Sequence, residues 1–526
     1  MSARILVLGI DAGSRALIET WAASGVLPTL RALMARGLVG RTDSVEGFFV
    51  GSTWPSFYTG ASPAEHGIHS LVQLRPGTYQ LDRCYTGEFV KREPFWNHLS
   101  RAGRRVAILD VPLSGVSPEL NGIQMVEWGS HDANYGFRAW PRGLAREVRA
   151  RFGAHPLTDS CDVAQRSPAQ FADFTRRLVA GVRTKTALTR HYLARGDWDL
   201  FVQVFTESHC VGHQCWHLHD RSAPGWDAAT AAVTGDPIRE VYVAIDEAIA
   251  EIVADVDRET LVLVLASHGM SYRIGAQFLL RDLLVRLSVA APSPLIADDR
   301  PGPLATVLAR GWAHTPEALR RPVRLARARA RRWSEARSWP RTLPAETRDG
   351  QCFVVDNGLV VGGIRVNLVG REPQGRVTPA AAPEFCQALA GDLLDVVDVE
   401  SGGPIVSRVL RTDELVRGPY RHHLPDLLVQ WSDERPLGST TVGDGKGATV
   451  RVTSPRIGIL EGTNGYCRSG DHRRDGLFVA VGSTLAPGRL ADTVSIMDFA
   501  PTLAGLLAVE VPGAAGQPIA PLLGRS

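Results

Sequence analysis

Apolar runs of strand length alternate with amphipathic stretches of helical period along most of the chain. The run RILVLGIDAG at 4–13 predicts a buried strand that ends at Asp11. The stretch LPTLRALMARG at 27–37 predicts a helix, because Pro28 suits a first helical turn and Gly37 suits the residue beyond the last one. Together they predict a βα unit at the start of the chain.

The same alternation returns several times farther along the sequence. Helix-like FWNHLSRAG precedes strand-like RVAILDVP, and DLFVQVF stands at 199–205 after a long helical stretch. LVLVLASHG follows helix-like VYVAIDEAIAEIVADV, and GLFVAVG stands at 476–482. Apolar strands separated by helices are typical of a parallel sheet that is covered on both faces. The predicted fold class is therefore α/β, with a mainly parallel central sheet flanked by helices.

A change of composition indicates an insertion in the second half of the chain. PVRLARARARRWSEARSWPRT is dense in Arg and Ala, and GLVVGGIRVNLVGREPQGRV after it alternates like the strands of a smaller subdomain. We predict a core of residues 1–290 and 440–526, an inserted Arg-rich arm and cap subdomain at 291–439, and smaller cap insertions near 70–100 and 130–180. Such insertions often determine substrate selectivity.

The Arg-rich stretch at 320–341 is the densest local charge. It suits an anionic substrate, a nucleic acid or a membrane surface, but a solvated charged face is the commoner reason for such a run. Its arginines include Arg324, Arg327, Arg331 and Arg332. The net charge of the whole chain is only +3, which indicates no class of partner. We expect no nucleic-acid partner, and the oligomeric state stays open.

Composition and cysteine usage are typical of an ordinary soluble protein. At 526 residues with 44% hydrophobic content, the chain is long enough to bury a large core. Its seven cysteines are scattered without CxxC spacing, so the sequence predicts neither a disulfide framework nor a thiolate zinc site. The first apolar run, about seven residues long, is too short for a signal peptide or a membrane span. We expect a cytoplasmic protein without a transmembrane segment.

Side chains able to bind a metal or attack a substrate stand beside several predicted strands. Because the carboxyl ends of parallel strands meet at one edge of a sheet, we expect these side chains to lie together. Any one of them alone is commonplace, but their repetition predicts a site at this edge. They are Asp11 after the first strand, Glu207, His209 and His213 in FTESHCVGHQCWHLHD, Ser267 and His268 in ASHGM, and His472 in SGDHRRDG.

The run GSTWPSFYTGASPAEHGIHS at 51–70 concentrates hydroxyls and imidazoles between apolar segments. One interpretation is a helix start, with Ser52 or Thr53 as a cap and Pro55 in the first turn. Another is a nucleophile, because a hydroxyl at a helix N-terminus lies among free N–H groups that favour a phosphate.

Seven motifs in a fixed order resemble those of one enzyme superfamily. They are GIDAG, STWPSFYTGASPAEHGI, VGHQCWH, ASHGM, GGIRVNLVGREPQG, GDHRRDGLF and TVSIMDFAPTLAGLL. The chain resembles the alkaline phosphatase superfamily, and most closely its nucleotide pyrophosphatase/type I phosphodiesterase branch. The resemblance implies an alkaline phosphatase-like core with an inserted cap. It also implies two divalent metal ions, usually zinc, that flank a Thr or Ser nucleophile.

When the family motifs are aligned with this chain, the resemblance implies which residue is the nucleophile and which residues are most of the metal ligands. Thr53 takes the place of the nucleophile and of a metal-bound oxygen, and the matching metal ligands are Asp11, His213, His268 and His472.

Two positions depart from the family pattern. His209 and Ser267 stand where the family has carboxylates, so each departure removes a negative charge. Glu207, two residues before His209, is the alternative ligand. We favour His209 by alignment, and we expect His217 and His219 to be pocket-wall or surface residues.

Because of these two departures, we expect the two metal sites to differ in affinity. His209, His213 and His472 form a set of imidazoles suited to one tightly bound zinc ion. Asp11, His268 and the Thr53 oxygen remain for a second, weaker metal.

The function implied by the resemblance is metal-dependent hydrolysis of phosphate esters through a phospho-threonine intermediate at Thr53. The substrate would be a small phosphorylated molecule with a phosphodiester or pyrophosphate bond, nucleotide-like or a small metabolite. The Asn that this branch carries after HGI is missing, so His69, Gln73 or Arg75 would have to replace it. The alternatives are a phosphomonoesterase or phosphotransferase of specialised metabolism, and a degenerate protein that binds a phosphorylated ligand without turnover.

Overall fold

The computed structural model describes residues 5–84, 87–129, 136–157, 166–223, 225–292, 339–433, 448–464 and 468–524. The arginines singled out in the Arg-rich stretch lie outside the described residues, as do Cys161 and Cys467. The other five cysteines, at positions 84, 210, 215, 352 and 386, are buried and carry reduced thiols. Within the described ranges, no helix combines the length and the apolar character needed to cross a bilayer.

The strands are numbered in chain order. They are β1 (Ile5–Ile10), β2 (Leu38–Asp43), β3 (Val72–Leu74), β4 (Gln80–Arg83), β5 (Val106–Leu109), β6 (Gly122–Val126), β7 (Arg138–Trp140), β8 (Leu200–Phe205), β9 (Leu261–Ala266), β10 (Gly269–Tyr272) and β11 (Arg341–Thr342). The second half adds β12 (Cys352–Val355), β13 (Val361–Val366), β14 (Val397–Asp398), β15 (Val406–Arg411), β16 (Leu427–Trp431), β17 (Ala448–Ser454), β18 (Gly458–Asn464), β19 (Gly470–Arg473), β20 (Asp475–Val481), β21 (Gly488–Arg489) and β22 (Val494–Ser495).

The helices are numbered in the same way. They are α1 (Arg15–Ala23), α2 (Pro28–Arg36), α3 (Thr53–Thr59), α4 (Pro63–His66), α5 (Phe95–Arg101), α6 (Leu144–Phe152), α7 (Pro168–Leu193), α8 (Glu207–His219), α9 (Ala228–Thr234), α10 (Pro237–Ala254), α11 (Gln277–Arg286), α12 (Ala382–Leu394), α13 (Thr412–Leu415) and α14 (Phe499–Leu506).

A ten-stranded sheet forms the centre of the larger unit. Its order is β21-β2-β20-β9-β1-β8-β5-β6-β7, and β22 pairs with β2. The inner strands β9, β1, β8, β5 and β6 are parallel to one another. β20 runs antiparallel to β2 and β9, and β7 runs antiparallel to β6. The predicted fold class is confirmed, with the strand of GLFVAVG running against its neighbours.

Helices cover both faces of this sheet, as the unbroken apolar runs of its strands require. Every residue of β1 is buried. Leu6 and Leu8 of β1 face a core shared with α7, α8 and α10. Ile5 and Val7 face the opposite core, to which α3, α5 and α14 contribute. Successive side chains of β1 thus point to opposite faces of the sheet.

A second unit packs around its own apolar core. Two antiparallel sheets, β12-β13-β16-β15 and β14-β17-β18, pack with α11 and α12. Its core includes Leu279 of α11 and Val452 of β17, so this packed unit is wider than the predicted insertion at 291–439. A further sheet, β11-β4-β3, lies partly in the predicted insertion near 70–100. The end of the predicted insertion near 130–180 is α7, which packs on the central sheet.

A buried ammonium group ties several strand ends together. Lys185 of α7 is 1% exposed, and its Nζ donates to the Val204 carbonyl oxygen at 3.1 Å and to Thr206 Oγ1 at 3.0 Å. It also donates to the Gly129 carbonyl oxygen at 3.3 Å, beyond the end of β6. One side chain thus connects α7 to the carboxyl ends of β6 and β8.

Two buried carboxylates balance this charge. Lys185 Nζ lies 3.4 Å from Glu207 Oε2 and 3.6 Å from Asp110 Oδ2. Glu207 Oε1 is also 2.8 Å from His155 Nε2. We call Asp110, His155, Lys185 and Glu207 the Lys185 cluster. Because Glu207 is the first residue of α8, the cluster fixes where that helix begins.

Replacing Lys185 by Met should destabilise the fold strongly. Removing one partner of a buried ion pair typically costs about 3–5 kcal/mol, because the remaining charges stay buried without compensation. We expect a loss of this size in the free energy of unfolding from denaturant titration. Lys91→Met, at an exposed position, is the control and should change it by less than about 0.5 kcal/mol. Equal losses in the two variants would contradict the role given to the cluster.

Candidate functional site

The carboxyl edge of the central sheet gathers most of the residues singled out from the sequence. Four places along the chain meet there: the residue after β1, the first turns of α8, the residues after β9, and β19, which pairs with β10. They carry Asp11, His209 and His213, Ser267 and His268, and His472, respectively.

His209, His213 and His472 form a buried group of imidazoles, which we call the tri-His cluster. His209 Nε2 lies 3.2 Å from His472 Nε2 and 3.2 Å from His213 Nε2. One nitrogen of each ring lies within 4.8 Å of the others, close enough to hold a metal ion. Tetrahedral ligands at about 2.0–2.1 Å from zinc lie about 3.3 Å apart, so this spacing fits such an ion.

Backbone contacts orient one of these rings. His213 Nδ1 lies 2.8 Å from the Gly470 carbonyl oxygen. Because a carbonyl oxygen only accepts, Nδ1 carries the proton and Nε2 keeps its lone pair for the cluster. The Ser469 N–H donates to the His213 carbonyl oxygen at 2.8 Å. These two hydrogen bonds hold the segment at the start of β19 against α8, beside the cluster.

A guanidinium group also reaches the cluster. Arg468 Nη1 lies 3.0 Å from His213 Nε2, the atom that faces the other two imidazoles. A positive charge therefore stands at the tri-His cluster, next to the nitrogen that a metal ion would use.

His268 is a fourth imidazole beside the cluster. Its ring centroid lies 4.6 Å from that of His472. Its Nδ1 lies 2.9 Å from Ser267 Oγ, while its Nε2 is buried without a hydrogen-bond partner among the described residues. Burial lowers the pKa of His268 to about 3, so the ring is neutral at physiological pH. A neutral ring with an unpartnered nitrogen suits a metal ligand.

Thr53 begins α3 and is almost fully buried. Its Oγ1 lies 2.8 Å from the Phe49 carbonyl oxygen, to which it donates, and 3.0 Å from Ser44 Oγ. Ser44 Oγ in turn lies 3.5 Å from the carbonyl oxygen of Ser267, the residue before His268. Short polar contacts thus connect the Thr53 hydroxyl to the imidazole side of the site. No side-chain cap bond from Ser52 is formed at this helix start.

Asp11 is held between the Thr53 segment and α8. Its Oδ1 accepts a 2.7 Å hydrogen bond from Trp54 Nε1, next to Thr53 in the chain. Its backbone oxygen accepts a 2.6 Å hydrogen bond from the Ser208 hydroxyl, next to His209. The first strand therefore links the hydroxyl and imidazole parts of the site.

Glu207 has its partners in the Lys185 cluster. Burial tends to raise its pKa, but the Lys185 charge and the His155 hydrogen bond outweigh burial and lower it. Its carboxylate oxygens lie against Lys185 and His155, whereas His209 lies in the tri-His cluster. Of the two alternatives left open by the sequence, His209 is the one beside the other imidazoles.

The side chains considered as replacements for the missing Asn have other partners. Gln73 Oε1 accepts hydrogen bonds from the backbone N–H groups of residues 69 and 70, and its Nε2 donates to the carbonyl oxygen of residue 67. These bonds hold the loop that precedes Gln73. Arg75 pairs with Asp82 on the exposed β3–β4 hairpin at 2.6 Å. His69 packs edge-on against Phe48 in a buried position, where burial lowers its pKa to about 3.

The remaining histidines of the two motifs have local roles. His66 Nε2 lies 3.0 Å from Ser56 Oγ, and its Nδ1 accepts from the Ile68 N–H. His217 Nδ1 lies 2.9 Å from the Ser469 hydroxyl, and His219 Nδ1 lies 2.8 Å from an Asp236 carboxylate oxygen.

Sequence reasoning missed three residues that matter to the site. Ser44 follows β2 and carries no motif signal. Lys185 lies in the middle of a long helix, where a single Lys reads as a surface residue. Arg468 could have been suspected only from its position four residues before His472.

A cleft of about 490 Å³ opens on the far side of Ser44. Three carboxylates line it, from Asp43, Glu46 and Glu65, and none of the tri-His cluster does. Each of these carboxylates forms an ion pair with an arginine, and Arg417 also lines the cleft.

Comparisons of fold find proteins similar to this chain at low identity. A mutant of the alkaline phosphatase PafA is 12% identical with a TM-score of 0.51, and the match covers 99% of each chain. Murine ectonucleotide pyrophosphatase/phosphodiesterase 5 is 12% identical with a TM-score of 0.49, covering 98% of this chain and 97% of that one. Phosphonoacetate hydrolase from Sinorhizobium meliloti 1021, with phosphonoacetate, is 14% identical with a TM-score of 0.48, covering 96% and 95%. The first of these likenesses shows an alkaline phosphatase-like fold.

Comparisons of sequence identify the family. A search of curated protein sequences finds no match to this chain. The family model described as type I phosphodiesterase/nucleotide pyrophosphatase matches residues 5–297. This range is more than half of the chain and includes β1, α3, α8 and β9, whereas β19 with His472 lies beyond it. The chain therefore belongs to the type I phosphodiesterase/nucleotide pyrophosphatase family of phosphoester hydrolases.

Proposed function

We propose that this protein hydrolyses phosphate esters with a bound metal ion and through a phosphorylated Thr53. The observation that carries the proposal is the tri-His cluster, with Nε2 atoms 3.2 Å apart at the sheet edge that also holds Thr53. Buried imidazole nitrogens that face one another at this distance are typical of a shared metal ion.

The donor set fits zinc. Three imidazole nitrogens with one open position match a tetrahedral zinc site, and imidazole suits zinc better than magnesium or calcium. His209, His213 and His472 would hold the ion, which supplies Lewis-acid polarisation of a phosphoryl oxygen. His213 contributes its Nε2 because its Nδ1–H is held by the Gly470 carbonyl oxygen.

Thr53 is the proposed nucleophile. Its oxygen forms a bond to phosphorus while the ester P–O bond breaks, and its hydroxyl proton passes to the leaving alcohol or to solvent. A water molecule then attacks the phosphorus and the Thr53 Oγ1–P bond breaks, which restores the hydroxyl and releases a phosphate monoester from a diester substrate. The Phe49 carbonyl oxygen and Ser44 hold the Thr53 hydroxyl in one orientation before the reaction.

A second metal would be held more weakly. Asp11 and the unpartnered Nε2 of His268 remain for it, together with the Thr53 oxygen. Asp11 Oδ1 already accepts a hydrogen bond from Trp54, and Ser267 brings no negative charge. Because hard carboxylate oxygens are scarce here, the two sites differ in affinity.

The substrate we propose is a small phosphorylated molecule with a phosphodiester or pyrophosphate bond. The family description supports this class of bond. The cytoplasmic location expected from the cysteine pattern stays a prediction.

Thr53→Ala should remove turnover and leave the fold intact. Loss of a nucleophile lowers kcat by on the order of 10⁴ to 10⁶. The loss of kcat is measured on the zinc-loaded protein with methyl 4-nitrophenyl phosphate and with 4-nitrophenyl phosphate as substrates. Thr59→Ala is the matched control, because Thr59 ends the same helix and its Oγ1 donates to the Pro55 carbonyl oxygen at 2.6 Å. Acid-quenched wild-type protein should carry phosphate on Thr53 by mass spectrometry. Unchanged turnover in Thr53→Ala would exclude the proposed nucleophile.

After dialysis against metal-free buffer, the protein should retain about one zinc ion per chain by elemental analysis. His213→Ala should retain none, because it leaves two imidazoles and a much weaker site. His219→Gln serves as the control, since this residue of the same helix pairs with Asp236 instead. Two retained equivalents in the wild-type protein, or full retention in His213→Ala, would refute the ligand assignment.

Ser267→Asp should create a tighter second site. The substitution places a carboxylate next to His268, where Ser267 Oγ now lies 2.9 Å from the ring. We expect about two retained zinc equivalents in Ser267→Asp and about one in Ser267→Asn, which has the same shape without the charge. If both variants retained the same amount, charge at this position would not govern the second metal.

A further inference from the structure

We infer that Asn357, in the second unit, is a positioning residue for the Thr53 hydroxyl. It holds the segment at 45–52, which we call the Thr53 loop, between β2 and α3. This loop carries the carbonyl oxygen to which the Thr53 hydroxyl donates. The inference rests on the proposed function, because it takes Thr53 as the nucleophile. It gives the second unit a direct influence on the reacting hydroxyl.

The Thr53 loop sets the direction of the hydroxyls at the start of α3. Ser52 Oγ donates to the Phe48 carbonyl oxygen, and Thr53 Oγ1 donates to the Phe49 carbonyl oxygen at 2.8 Å. A threonine at such a position chooses between two rotamers, and a bond to the carbonyl four residues earlier decides between them. Movement of Phe49 would therefore release the Thr53 hydroxyl from its orientation.

Asn357 donates to this loop from the turn between β12 and β13. Its Nδ2 donates to the Gly47 carbonyl oxygen at 2.8 Å and to the Val361 carbonyl oxygen at 3.3 Å. Carbonyl oxygens only accept, so the amide nitrogen must face both of them. Asn357 is 1% exposed, and its Oδ1 is buried without a hydrogen-bond partner among the described residues. The side chain therefore acts through its N–H groups, which hold the loop against β13.

Apolar packing holds the same loop but does not orient it. Phe48 and Phe49 share a buried cluster with Val361 of β13 and Leu428 of β16. Leu428 also fills the space that a Cβ at Gly47 would need. Gly47 has a φ of +77°, and glycine adopts many backbone conformations at little cost. Because apolar contacts are not directional, the bond from Asn357 is needed to fix the peptide that follows Gly47.

The turn that carries Asn357 is itself held on both sides. Asp356 accepts from the Ser70 hydroxyl, which lies beyond α4, and from the Gly358 N–H at 3.2 Å. Val50 of the Thr53 loop occupies the place where a Cβ at Gly358 would lie. Asn357 therefore projects from a turn fixed by its neighbours, as a residue that positions another group requires.

A second buried asparagine provides the matched control. Asn367 is 0% exposed and belongs to the same unit. Its Nδ2 also donates to two backbone carbonyl oxygens, those of Arg348 and Gly350, at 3.0 and 2.9 Å. Both acceptors precede β12 and lie outside the Thr53 loop. Replacing Asn367 should therefore cost stability without affecting Thr53.

The test compares zinc-loaded wild-type protein with Asn357→Ala, Asn357→Leu and Asn367→Ala. Leucine keeps the approximate volume of asparagine and removes its donors, so Asn357→Leu serves if Asn357→Ala fails to fold. The measurements are kcat and KM with methyl 4-nitrophenyl phosphate, retained zinc, and the free energy of unfolding. Hydrogen–deuterium exchange of peptides that cover 45–56 reports on the Thr53 loop directly.

For both Asn357 variants we expect kcat to fall about 10- to 100-fold and KM to change by less than about 3-fold, because a small displacement of a reacting group slows the reaction. Deuterium uptake in the Thr53 loop should rise. Zinc retention should match the wild type, since the tri-His ligands come from α8 and β19. Asn367→Ala should also lose stability, yet keep the wild-type kcat and uptake at 45–56.

Unchanged kcat or unchanged uptake in the Asn357 variants would overturn the inference and leave the proposed function standing. Losses of kcat in Asn367→Ala equal to those in Asn357→Ala would do the same, because they would reflect stability alone. If the wild-type protein turned over no phosphate ester, the proposed function would fail. Deuterium uptake would then still decide the inference, because it shows whether Asn357 holds the Thr53 loop in the absence of any reaction.

Discussion

The desolvated ammonium of Lys185 is the constraint on which the site depends. A charge taken out of water needs compensation, and Lys185 obtains it from Asp110 and Glu207, each within 3.6 Å. These partners stand after β5 and at the first residue of α8. The same ion cluster therefore aligns the strand ends and fixes the helix that carries His209 and His213. It also occupies the Glu207 carboxylate, which was the alternative ligand to His209.

The charge of the site follows from the pairing of Glu207 with Lys185. With Glu207 bound to Lys185, the tri-His cluster contains imidazoles and no carboxylate, and the Arg468 guanidinium contacts His213. A bound metal ion would keep nearly its full charge, because its ligands neutralise none of it. A metal ion held there would therefore attract an anionic group of a substrate.

Local pattern was enough to predict the elements that carry the site. Continuous apolar runs predicted β1, β8 and β9, and the residues after them were found at one edge because parallel strands share their direction. The direction of β20 was not predictable, because an apolar run reads the same in a parallel or an antiparallel pair. Alignment favoured His209 over Glu207, but the physical reason for this choice was not visible in the local sequence. It depends on Lys185 and His155, which approach α8 from other parts of the chain.

The separation of the ligands along the chain determines when the site can exist during synthesis. His209 and His472 are 263 residues apart, and β2 joins β9 only through β20, which follows His472. At a translation rate of about 5–20 residues per second, roughly 13–50 s pass between the two histidines. For that time a nascent chain has an incomplete sheet and two of its three clustered imidazoles. The three-histidine site can therefore bind a metal ion only after β19 and β20 have been synthesised and have joined the fold.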